Sequence, residues 1–165
     1  MPSNIPTTRK LSFLFLVPQL IIIGLLIYLY HLADFTEPFI LGAITYSVLA
    51  LTLRNLIAKN HRKGIRLIKE NKFSEAIPCF EKSVAYFSEH TWVDKYQFIT
   101  LLSASGHTYK EMGLCNIAFA YSQTGNGPKA KEYYEQVLAE FPGNGLAIAA
   151  LNMIKSVENK IPDSA

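Results

Sequence analysis

Hydrophobic positions along the chain fall into two unlike regimes. Twenty successive residues, 11–30, carry no charge, and at 1.5 Å per residue a helix of that length spans about 30 Å, the thickness of a bilayer's hydrocarbon core. The pattern predicts a membrane-spanning helix over about 11–31. A second apolar stretch, 38–53, reaches a full span over 38–57 when Arg54 snorkels and the next three residues sit at the interface. The link between them is so short that the two must run antiparallel as a hairpin. Beyond Arg54 the apolar residues recur at helical spacing, and no strand-like alternation of useful length appears. Turn signals cut this region at Asn71 and Lys72, at Thr91 with Asp94, at Thr108 with Glu111 (a capping box), at 125–128 and at 142–145. About six helices follow, over roughly 57–70, from 73 or 74, 91–101, from Thr108 to Gly125, from Pro128, and 146–159. The expected fold is all-α, an N-terminal transmembrane helical hairpin followed by a helical domain.

Charge sharpens the division. Half of the 165 residues are hydrophobic and only 18% are charged, against about 25% in ordinary soluble domains. Between residues 11 and 53 the formal charges are Asp34 and Glu37; with Arg9 and Lys10 ahead of them, 29 − 4 = 25 charges remain for residues 54–165. This excludes a disordered tail, a disulfide scaffold and an ordinary wholly soluble protein. A cleaved signal peptide would have a shorter apolar run and no second one behind it, and the remaining chain is too small to wrap two helices apolar on every face. The basic run Arg54, Lys59, Arg62, Lys63, Arg66, Lys69 and Lys72 opposes one acid, Glu70, and the loop 31–37 has no Lys or Arg. Both ends are therefore expected on the cytoplasmic side. The expected segments are a cytoplasmic N-terminus 1–10, the hairpin 11–57, a helical domain 58–160 and a polar tail 161–165. Gln19 and Gly24 in the first span, with Gly42, Ala43, Ser47 and Ala50 in the second, suit close hairpin packing or association of two copies.

Self-comparison shows a repeat. The segment 71–84 places Phe73, Ala76, Phe80 and Val84 where a later one places Gly127, Ala130, Tyr134 and Leu138; upstream, Gly64, Leu67 and Asn71 correspond to Ala118, Tyr121 and Gly125. These positions resemble the tetratricopeptide repeat, with a small residue and an aromatic on the first helix, Gly at the turn, Ala and an aromatic on the second, and a closing proline at Pro142. The resemblance covers about 57–155 and implies a solenoid of paired helices. The two alanines stand 130 − 76 = 54 residues apart, one 34-residue repeat plus 20, so residues near 90–109 are expected as an inserted helix wedged between two imperfect repeats. Gly145 lies 34 residues after Glu111 and begins a third first helix, with Ile148 and Leu151 at packing positions and Asn152, Lys155 and Glu158 facing outward as a cap.

Candidate chemistry is sparse. His31, His61, His90 and His107 are isolated, Cys79 and Cys115 sit in separate helices, and no metal-ligand, nucleophile or phosphate-loop motif appears. No enzyme activity, metal or cofactor is expected, and the near-neutral remainder of the domain argues against a nucleic-acid partner. What the resemblance implies is a groove lined by first helices that receives a protein or peptide: His61, Ile65, Ile68 and Lys69 from the first copy, and Cys115, Asn116, Phe119, Ser122 and Gln123 from the second. Two functions are open at this point. One is an adaptor integral to a membrane, in keeping with a bacterial cytoplasmic membrane, whose groove recruits a partner to the bilayer. The other is an assembly subunit whose hairpin makes the essential contacts in a larger complex.

Overall fold

A computed structural model describes residues 13–158. The expected segments 1–10 and 161–165, and the first residues of the expected first span, lie outside the described residues. Described helices are α1 (Phe13–Leu32), α2 (Pro38–Ile57), α3 (Lys59–Lys69), α4 (Phe73–Glu89), α5 (Thr91–Lys95), α6 (Gln97–Thr100), α7 (Tyr109–Gln123), α8 (Gly127–Glu140) and α9 (Gly145–Glu158), and no strand occurs among the described residues. They divide into two compact units. One contains residues 13–59 with Glu89–Thr108; the other contains Asn60–Ser88 with 109–158.

In the first unit α1 and α2 pack as an antiparallel pair. A Cβ added at Gly42 would lie 2.7 Å from Ile27 Cγ1 and 3.1 Å from the Ile27 amide nitrogen, so glycine sets how closely the backbones approach. Among the described residues, two side-chain bonds join the helices. Tyr46 donates its hydroxyl proton to Gln19 Oε1 at 3.0 Å, and the hydroxyls of Tyr30 and Thr45 lie 2.8 Å apart. Pro38 suits the first turn of α2, where its missing N–H has no intrahelical partner to lose. By length and composition α2 is long and apolar enough to cross a membrane; the apolar part of α1, Leu16–Leu32, is somewhat shorter. Outward positions of both helices are large and apolar, Leu20, Ile21, Phe39 and Ile44 among them.

The short helices α5 and α6 belong to this same unit, which corrects the expectation of an insert wedged between the repeats. α6 lies against α1. The Arg54 guanidinium donates from Nε to the Leu101 carbonyl at 3.0 Å and from a terminal nitrogen to the Leu102 carbonyl. Leu102 adopts φ 48°, a left-handed conformation costly for leucine, and it follows directly on the last turn of α6. The single helix expected over 91–101 breaks at Tyr96, and Thr100 Oγ1 bonds back to the Val93 carbonyl at 2.8 Å across the break.

In the second unit the pairs α3/α4 and α7/α8 share one turn geometry. Asn71 (φ 59°) and Gly125 (φ 76°) are the left-handed residues that end α3 and α7, the same 54 residues apart as Ala76 and Ala130. In the first turn the Asn71 amide donates to Ile68 and the Lys72 amide to Leu67; in the second the Gly125 amide donates to Ser122 and the Asn126 amide to Tyr121. Each is a helix stop that satisfies the orphan carbonyls with paired bonds of the same spacing. Ala76, Phe80, Ala118, Ala130 and Tyr134 are buried, and Gly64 is held small by Phe80, whose ring lies 2.7 Å from where a Cβ would stand. Tyr121 is half-buried and stacks on Tyr133 with centroids 5.6 Å apart, while Pro142 is exposed. The two pairs meet directly: Val84 of α4 fills the space left by Gly113 of α7, and Ile117 and Ala120 join the core of the first pair.

Candidate partner-binding surface

α9 docks on the second pair through an apolar face and through the buried side chain of Asn144. Asn144 precedes the helix, and its Oδ1 accepts the Ala147 amide proton at 2.8 Å, satisfying a first-turn donor. Its Nδ2 donates to Glu111 Oε1 at 2.8 Å and to Cys115 Sγ at 3.5 Å, tying α9 to α7. Burial, with the Glu111 charge behind it, pushes the Cys115 thiol up to about 12, while the Asn144 bond opposes the shift. The cap also fixes the phase of α9. Ala147 and Leu151 turn inward, and Ile148, expected at a packing position, is exposed instead. Asn152 and Lys155 are exposed as expected of an outer face; the side chain of Glu158 lies outside the described residues.

Toward the other end of α9, α8 and α9 flank an open apolar cleft of about 680 Å³. Met153, 72% exposed, and Ile154 form its α9 wall. The α8 wall is Gly127 and Pro128 with Lys131, Glu132 and Glu135 along the rim. The signal for it was present in the sequence: α9 carries Leu146, Ile148, Leu151, Met153 and Ile154, more apolar positions than one buried face holds. A smaller cleft of about 280 Å³ lies at the α3–α4 turn beside Thr124.

The residues assigned to a groove by resemblance fare differently. His61 is corrected: only 6% exposed, it lies edge-on between the rings of Phe80 (5.4 Å) and Tyr109 (5.1 Å), where no partner reaches it. Phe80 occupies the slot that Gly64 leaves and draws the imidazole into the packing. Ile68 and Cys115 are likewise buried. Phe119 is half-buried against Phe73, centroids 6.0 Å apart, and Asn116 is half-buried on the same helix. Lys69, Ser122 and Gln123 are exposed. Among the described residues no three His, Cys, Asp or Glu side chains group to hold a metal ion.

Residues 113–144 match the family model of the tetratricopeptide repeat. The match runs from within α7 to the Asn144 cap, the second copy of the internal repeat, and supports a tetratricopeptide family. No curated protein and no solved structure matches the chain.

Proposed function

We propose that this chain is a non-catalytic adaptor that holds a protein partner at a membrane. α1 and α2 cross the bilayer, a bacterial cytoplasmic membrane on this reading, with both termini on the cytoplasmic side. The helical repeats take the partner from the cytoplasm. Tethering raises the effective concentration of what is held, so modest affinity suffices.

The observation that carries the reading is the pairing of a repeat-type stack with an open apolar cleft between α8 and α9, walled on the α9 side by Met153. An amphipathic helix or extended segment fits such a cleft by apolar anchors, and Glu132 and Glu135 on its rim favour a segment that also carries a basic side chain. Lys69, Asn116 and Gln123 offer a second, more polar contact area. The assembly-subunit reading draws on a different feature, the exposed apolar face of α2 at Ile44 and Val48.

Site-specific photo-crosslinking of the full chain in native membranes separates the two. The adaptor reading expects a discrete protein adduct from a photoreactive residue at Met153, and its loss when Glu132 and Glu135 are both changed to Lys. Adducts arising only from position Ile44, with none from Met153 or Gln123, overturn it in favour of the assembly subunit.

A further inference from the structure

The exposed surface of the insert carries three large apolar side chains. Trp92 is 61% exposed, Tyr96 46% and Ile99 54%, and their spacing of four and three residues continues one stripe across the α5–α6 break. Their neighbours Val93 and Gln97 turn inward. Lys95 stands beside the stripe with its Nζ 5.6 Å from the centre of the Tyr96 ring. Aromatic residues flanked by a cation, over a short apolar side chain, are the composition that membrane–water interfaces favour.

The position of the stripe is set by Arg54. On the membrane reading this is the first charge after the second span, so its guanidinium marks where hydrocarbon gives way to headgroups. The bonds from Arg54 to the Leu101 and Leu102 carbonyls hold the end of α6 at that level. The contact of α6 with α1 and the Thr100–Val93 bond carry α5 along with it. Gln97 closes the block by donating to the Ser105 and His107 carbonyls. The stripe thus belongs to the same compact unit as the lipid-facing surface of the hairpin.

We propose that α5–α6 is an interfacial anchor, with Trp92, Tyr96 and Ile99 resting in the headgroup and upper acyl region of the leaflet at the Arg54 end of the hairpin, and Lys95 among anionic headgroups. The occupant of this face is phospholipid. The proposal rests on the hairpin crossing the bilayer, and the experiment separates the two.

Trp92 is the only tryptophan in the chain, so the native protein carries its own reporter. The full chain is reconstituted in vesicles of phosphatidylcholine and phosphatidylglycerol, with and without phosphatidylcholine brominated on its acyl chains near the glycerol. The expected result is blue-shifted tryptophan emission, lost on bromination and shielded from aqueous acrylamide. The joint variant Tyr96→Ser with Ile99→Ser keeps the reporter and shifts its emission back toward that of a water-exposed indole. Red emission open to acrylamide overturns the anchor, and so does blue emission indifferent to brominated lipid, which would place Trp92 against protein. In both cases resistance of the chain to alkaline carbonate leaves the hairpin reading standing, whereas extraction by carbonate overturns hairpin and anchor together.

Discussion

His61 shows how a single side chain is decided by its neighbours. It is a histidine in a basic segment, yet it is packed between Phe80 and Tyr109, with Tyr109 stacked in turn on Phe87 at 4.8 Å. Its Nδ1 has no hydrogen-bond partner. Burial holds its pKa down to about 4, from 6.5 in an open chain, so the folded protein keeps it neutral. The sign follows from that direction. Above 6.5 the ring is neutral in both states and its burial is not opposed by protonation; as pH falls below 6.5 the unfolded chain binds a proton that the folded site refuses until about 4. Stability is therefore present above the unfolded pKa and is lost as pH falls through the folded one, by about 3 kcal/mol in all. Denaturant unfolding of the detergent-solubilised chain, followed by circular dichroism from neutral pH to about pH 4, is expected to show this slope, and His61→Leu to flatten it. An unchanged slope in the variant would mean that carboxylates carry the whole acid response.

Among the elements, the breaks between helices were legible because they are written locally, although the cap expected at Thr91 is corrected: α5 begins on Thr91 itself, with His90 at the capping position. Pro38 opens α2, and Asn126 caps α8, accepting the Lys129 amide proton at 3.2 Å. Asn71 and Gly125, aligned by the internal repeat, adopt the same left-handed turn. The destination of α5 and α6 was not legible, because what fixes it is a pair of bonds to Arg54 across 47 and 48 residues of chain; periodicity announces a helix and is silent on what it packs against. The cleft was missed for a related reason. The phase of α9 depends on Asn144, which the sequence offers only as a turn residue, and shifting that phase by one position exchanges Ile148 for Ala147 in the core. Asn144 is thus the element's fastening point. Asn144→Ala removes a cap, worth about 1 kcal/mol, and strips the buried Glu111 carboxylate of a donor, worth about 1–3 kcal/mol more. A loss of about 2–4 kcal/mol in unfolding free energy is expected, with faster amide hydrogen exchange confined at first to α9. Uniform acceleration through α7 and α8 would show that α9 is not separately fastened.

For the molecule as a whole, on the proposed reading of α1 and α2 as membrane spans, the distribution of charge favours one orientation of the hairpin. Translocating the segment after α2 would carry seven cations from Arg54 to Lys72 across the bilayer, whereas the loop between the helices holds only Asp34 and Glu37. Lys and Arg at the centre of a bilayer each cost about 2.5–3.5 kcal/mol on insertion scales, while short acidic loops contribute little to orientation. The loop is expected outside and the repeats inside. The native thiols give a quiet background for a test: Cys115 is buried with its pKa pushed up to about 12, and Cys79 is half-buried. In intact cells a membrane-impermeant maleimide is expected to label Thr36→Cys at once, and Ser156→Cys only after lysis, since both positions are exposed in the folded chain. Labelling of Ser156→Cys from outside would place the repeats on the far face of the membrane, and labelling of both would mean that only one of the two apolar helices crosses.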